Sequence, residues 1–131
     1  MILPCEVAAK SVVPTVKALI AKELMDRRGL KQNQVAEILG VSQSAVSKYN
    51  RNVRGKAIKV GDVEEIQPFI GSMVTLLMNQ TYQRGELLHL FCETCAAIRK
   101  RRLMCKFCQR SDPNFEVQEC EFCTGKEHGV R

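Results

Sequence analysis

Residues 32 to 49 read Gln-Asn-Gln-Val-Ala-Glu-Ile-Leu-Gly-Val-Ser-Gln-Ser-Ala-Val-Ser-Lys-Tyr. Their pattern predicts two short helices crossing at a tight turn. The first runs from Gln32 to Leu39 and stops at Gly40, which adopts a left-handed backbone at no steric cost. The second starts after Ser42, a good N-cap, and runs to about Asn50. Two helices that cross steeply need a small residue where they touch, and Ala36 supplies it. Val35 and Leu39 face inward from the first helix, Val46 and Tyr49 from the second, and Val41 pins the turn to the core.

What remains on the outer face of the second helix is Gln43, Ser44, Ser47 and Lys48, all polar. Gln matches adenine through N6 and N7, Ser is adaptable, and Lys suits guanine or phosphate. This stretch resembles the helix-turn-helix of the lambda-repressor/Cro (XRE-like) regulators. The likeness rests on the small residue, the turn glycine, the apolar pins and the polar outer face, and extends over about residues 12 to 78. It implies an all-α, lambda-repressor-like bundle that binds double-stranded DNA, usually as a homodimer, with the recognition helix (about 43 to 50) in the major groove. Gln32 and Asn33 would then touch the DNA backbone, and Arg51 and Arg54 would add basic contacts just beyond the recognition helix. One departure is Lys31, where the family usually has a capping Ser or Thr, so this helix end is expected to fray. The whole chain also resembles a group of predicted archaeal transcriptional regulators. These open with a Pro-Cys-Glu element, as Pro4-Cys5-Glu6 does here, and carry a cysteine-rich tail. In that group the middle tail pair can end in His, where this chain has Cys108.

Charge agrees with a polyanionic partner. The net charge is +6, and residues 10 to 61 hold eleven Lys/Arg against three Asp/Glu. A basic front half suits nucleic acid, although a solvated surface would look the same. Upstream of the crossing helices, Val12, Val13, Val16, Leu19, Ile20 and Leu24 recur at spacings of three and four, predicting one helix face. Ser11 can cap that helix, Pro14 suits its first turn and Gly29 ends it. Gly55 and Gly61 bracket a basic connector. Downstream, Val63, Ile66, Ile70, Met73 and Leu77 form a short a/d seam. Pro68 and Gly71 interrupt it, which predicts a short helix and then a longer one from about Pro68 to Met78. The seam is either intramolecular core or a helical dimer interface. A further helix is expected over Gln83 to Phe91, leading into the cysteines.

Six of the seven cysteines lie in the last forty residues, as three Cys-x-x-Cys pairs: Cys92 and Cys95, Cys105 and Cys108, Cys120 and Cys123. Two intervening residues let both thiolates reach one metal from a tight turn, and two such knuckles complete a tetrahedral S4 site. Six sulfurs do not divide into fours, and three arrangements fit. A zinc could bind the first two pairs, with Cys120, Cys123 and His128 in a second site completed by Cys5 or His89. A single site could use the first and third pairs and leave the middle pair reactive. An iron–sulfur cluster such as [4Fe-4S] could sit on four of the thiolates. Zn2+ is favoured, because paired knuckles with basic spacers are the commoner structural use. Phe91, Phe107, Phe115 and Phe122 would shield a cluster or form a small core. Arg99-Lys100-Arg101-Arg102 lies between two pairs and reads as a basic loop, either a second phosphate-binding surface or plain solvated surface. Cys5 approaches the tail only if the termini meet.

The division expected is a DNA-binding domain at 1 to 80 and a helix with a metal-stabilised, cysteine-rich tail at 81 to 131. Composition, at 45% hydrophobic and 26% charged, is that of a globular protein. The longest apolar stretch, Phe69 to Met78, is far short of the ~20 residues a membrane span needs. The opening residues lack the basic and apolar regions of a secretory signal. These features and the cysteine usage point to the cytoplasm. No Ser-His-Asp set, P-loop or carboxylate pair suggests an enzyme, and Cys-x-x-Cys without a βαβ pattern argues for metal over thiol redox chemistry. The function expected is a sequence-specific transcriptional regulator whose zinc or iron–sulfur tail is structural or senses metal or redox state. The alternative is a zinc-knuckle module that binds RNA or a ribonucleoprotein, with the crossing helices only a scaffold.

Overall fold

A computed structural model describes residues 3–50, 64–79, 81–114, 116, 118 and 120–123. Among these residues every regular element is helical: α1 (Pro4–Lys10), α2 (Val12–Asp26), α3 (Gln32–Leu39), α4 (Gln43–Asn50), a 3-10 turn (Glu64–Ile66), α5 (Gln67–Met78), α6 (Arg84–Lys100) and α7 (Cys105–Ser111). Among the described residues the expected all-α fold with a helix-turn-helix is what the chain adopts. The basic connector with Arg51, Arg54, Gly55 and Gly61 lies outside the described residues, as do Val63, Phe115 and His128.

The centre of the molecule is α2. Val12, Val16, Ile20, Ala21 and Leu24 are buried, and α1, α3, α4, α5 and α6 all pack against this helix. Each large aliphatic side chain so buried contributes ~1.5–3 kcal/mol. Its C-terminus turns at Gly29, whose φ is +69°, and the Leu30 N–H donates to the Leu24 carbonyl at 3.1 Å.

One expectation for this region needs correction: Ser11 stands at the N-cap position of α2, as expected, but makes no side-chain cap hydrogen bond. A separate helix, α1, precedes it. Pro14 explains the break: its ring would clash with the carbonyl of residue 10 in a continuous helix, and α1 ends at Lys10. Ser11 stands at the break with a buried side chain, and its hydroxyl donates backward to the Val7 carbonyl at 2.7 Å. Thr15 does the same to the Ser11 carbonyl at 2.8 Å. Both buried hydroxyls are thereby satisfied.

The seam after the connector faces the interior. Ile66, Ile70, Met73, Val74 and Leu77 are buried, and α5 packs on α2 and α6. For the described seam residues, intramolecular core is the outcome. Pro68 sits in the first turn of α5, where no N–H is needed.

The helix expected over 83 to 91 does not stop at the cysteines. It runs unbroken from Arg84 to Lys100 and carries Cys92 and Cys95 in its interior. Thr94 and Ile98 are buried and extend the inward face begun by Leu87, Leu90 and Phe91. The Thr94 hydroxyl donates to the Leu90 carbonyl at 2.7 Å, so the helix loses nothing by burying it. Met104 and Cys108 join the same buried cluster, and α7 packs on α1.

Two glycines should respond to substitution in opposite directions. Gly40 has φ +67°, and a Cβ there would meet no atom within 4 Å; Gly71 lies within α5 with equally open space. Gly40→Ala should therefore cost about 1–2 kcal/mol from backbone strain alone. Gly71→Ala should gain about 0.5–1 kcal/mol by reducing unfolded-chain freedom. Urea unfolding of both variants checks the pair.

Candidate nucleic-acid interface and cysteine tail

The turn between α3 and α4 is closed as the residue types require. Gly40 takes the left-handed conformation, φ 67° and ψ 34°. The Gly40 N–H donates to the Glu37 carbonyl at 3.3 Å and the Val41 N–H to the Ala36 carbonyl at 3.0 Å. This is the Schellman pairing that satisfies the last carbonyls of α3. Val35 and Ala36 are buried, while Leu39 and Val41 are half-buried against the core. Ser42 caps α4 through its hydroxyl, which accepts the Ala45 N–H at 3.1 Å.

The start of α3 departs from expectation. Lys31 cannot cap through its side chain, yet the end is held, because its N–H donates to Gln34 Oε1 at 2.8 Å. That is the reciprocal half of a capping box, and it replaces the predicted fraying.

Helix α4 buries Ala45, Val46 and Tyr49. The opposite side carries Gln43 and Ser44, both exposed, and Ser47 and Lys48, both half-buried. Positions 43, 44, 47 and 48 lie one helical turn apart and form a continuous polar face. On α3, Asn33 is exposed and Gln32 half-buried. A short, capped helix with an inward apolar side and an outward amide–hydroxyl–ammonium side has the shape and donors to enter a major groove.

The tail differs from three loops. Cys92 and Cys95 are on α6, and Cys105 and Cys108 on α7. The spacing of three places each pair on one helix face rather than in a tight turn. Cys120 and Cys123 follow in irregular chain. Cys5 and Cys92 are exposed, Cys108 is buried, and the other four are half-buried. α1 packs on α7 and so approaches the second cysteine pair, but Cys5 is exposed. Among the described residues no three Cys, His, Asp or Glu side chains stand gathered as a metal-ligand set.

The four-base run is not a free loop. Arg99 Nε donates to Cys123 Sγ at 3.2 Å, and its guanidinium lies 5.4 Å from the centre of the Phe122 ring. Arg101 pairs with Glu65. Arg102, at a left-handed φ of 59°, donates to the Cys120 carbonyl at 3.2 Å. Three of the four cations are thus engaged within the chain, a separation of 18 to 36 residues that no local pattern signals. Phe91 and Phe107 pack on the core, while Phe122 stays exposed beneath Arg99. His89 pairs with Glu93 one turn along α6, on an exposed surface.

The thiols influence one another. Burial pushes Cys95 up, and Arg99 pulls against it. Burial also raises Cys105, opposed by Arg102, with Cys123 and Cys120 adding to the rise. Cys108 is raised by burial and then by Cys123, Cys105 and Cys120. Burial alone would loosen the Arg99 proton, but the contacts with Cys123 and Cys95 outweigh it and hold the guanidinium charged.

Removing the α4 cap should be costly. Ser42→Ala should lower stability by about 1 kcal/mol, whereas Ser44→Ala, on the exposed face, should stay within about 0.5 kcal/mol of the parent. Thermal unfolding of the two variants measures the difference.

Comparison with known proteins agrees with this geometry. The family model described as Helix-turn-helix matches residues 22–60, which take in the last turn of α2 and all of α3 and α4. No curated protein and no solved structure matches the chain. The chain is thus similar over residues 22–60 to the XRE/lambda-repressor-like helix-turn-helix, and α3 and α4 lie within that match.

Proposed function

We propose that the chain is a sequence-specific transcriptional regulator that acts as a homodimer on double-stranded DNA. The observation that carries this reading is the capped α4, which buries Ala45, Val46 and Tyr49 and turns Gln43, Ser44, Ser47 and Lys48 outward. In this reading those four side chains meet base edges in the major groove, and Gln32 and Asn33 meet phosphates at the start of α3. Arg51 and Arg54 supply further basic contacts. Two copies place their recognition helices about 34 Å apart, one turn of DNA. The eleven bases of the front half make affinity fall steeply with salt, as phosphate neutralisation releases counterions.

The tail is read as a metal-binding element on Cys92, Cys95, Cys105, Cys108, Cys120 and Cys123, holding Zn2+ or, alternatively, a [4Fe-4S] cluster. All-thiolate donors suit both. The donor chemistry and the three paired spacings support this reading. It is either structural or a sensor, and an absorption spectrum of anaerobically purified protein separates the metals, since a cluster is coloured and zinc is silent. Binding rather than catalysis is the work of this family. No helix among the described residues is long and apolar enough to cross a membrane. On this reading the protein works in the cytoplasm, where thiols stay reduced. The RNA-binding alternative draws less support, because three of the four cations in its proposed contact surface are engaged within the chain.

Substituting Gln43 and Lys48 together by Ala should abolish specific duplex binding. Each good base contact is worth about 1–3 kcal/mol of discrimination, and neither side chain supports the core. Fluorescence anisotropy on a selected duplex, with circular dichroism as the control for folding, reads the outcome. Undiminished specific binding by the folded double variant would overturn the assignment of α4.

A further inference from the structure

Helix α6 carries two apolar lines. The inner one, with Leu87, Leu90, Phe91 and Ile98, packs into the core. The outer one is Gly85, Leu88, Cys92 and Ala96, and it is exposed at every position. Its spacings of three and four place these residues on one helix face. Among the described residues four large hydrophobics are exposed, and two of them belong here. Leu88, 49% exposed, stands on the line, and Phe122, 42% exposed, lies against Arg99 at its far end. A helix whose inner face already meets the core gains nothing within its own chain from a second apolar line. Spacings of three and four on an outer face are those of a helix that pairs with another.

The charges beside the line distinguish the partner. Glu86 and Lys100 are exposed near opposite ends of α6. Neither has an ion-pair partner among the described residues. Cys92 is midway between Leu88 and Ala96, and Glu93 is midway between Glu86 and Lys100. A second α6 laid antiparallel on a two-fold axis at Cys92 therefore sets Glu86 opposite Lys100 of the second copy, twice by symmetry. The same axis sets Leu88 opposite Ala96, a large side chain against a small one. Gly85 and Ala96 permit an approach of about 8 Å between helix axes. Near the axis the Glu93 carboxylate is paired with His89 of its own helix. A parallel pair would instead set Glu86 on Glu86 and Lys100 on Lys100. The line is thus complementary to itself in shape and in charge, in one sense only.

We propose that the outer line of α6 is the interface between two copies of this chain, paired antiparallel about Cys92. The proposal rests on the reading of the protein as a homodimer and names the surface that holds it. Helix α4 is seated by α2 and α3, and the α6 contact uses none of the residues assigned to DNA.

Sedimentation equilibrium of the reduced full-length chain, free and on its selected duplex, tests the assignment, with circular dichroism as the control for folding. The parent should be a dimer. L88D should stay folded, because the side chain it replaces is half in water, and should raise the dimer dissociation constant at least about 10-fold. E86K and K100E should each weaken the dimer about 2–10-fold, and E86K/K100E should restore it. A short bismaleimide should join two copies through Cys92, read as a Cys92–Cys92 peptide pair by mass spectrometry. Parent-like dimerisation of folded L88D, no recovery in E86K/K100E, or linkage only through other cysteines would overturn the α6 interface and leave the homodimer standing. A parent chain that binds its duplex as a single copy would overturn both.

Discussion

Burial of the α2 stripe is the constraint on which the other elements depend. Val12, Val16, Ile20 and Leu24 need a partner on almost every side, and α1, α3, α4, α5 and α6 provide it. The recognition unit has no independent core. Helices α3 and α4 have eight residues each, shorter than helices that are stable alone in water. They hold their crossing because Val35, Ala36, Val46 and Tyr49 seat against the stripe. The outward face of α4 is thus fixed by what its inward face buries.

The same packing links the tail to the helix-turn-helix. Ile98 of α6, Met104 at the elbow and Cys108 of α7 belong to the buried cluster that contains Ile20 and Val46. The tail gains apolar partners from the front of the chain rather than building a core of its own. Packed helices run continuously from α7 to α1, then α2, then α4.

The two halves of the molecule are unequally legible in the sequence. The helix-turn-helix can be read residue by residue because its determinants are local and specific in type: a glycine at the left-handed position, a serine at the cap, alanine at the crossing. The bounds Gln32–Leu39 and the cap at Ser42 follow from that chemistry. The start of α2 after Ser11 is legible from that residue and Pro14, whereas α1, only seven residues long, carries too short a repeat to announce itself. In the tail, a spacing of three is shared by a metal knuckle and by one helical turn. Only the buried Thr94 and Ile98, continuing the face of Leu87 and Leu90, show that α6 carries on through Cys92 and Cys95. The contacts of Arg99 and Arg102 with the third pair are long-range, and nothing in the local sequence announces them.

The central claim is that α4 reads base sequence in duplex DNA. In vitro selection from a randomised duplex library, carried out with the full-length chain at physiological salt, tests it most directly. The account predicts enrichment of a defined sequence, arranged as two related half-sites about one helical turn apart. Recovery of duplexes indistinguishable in sequence from the input library would contradict it, leaving a basic protein that binds DNA by charge alone.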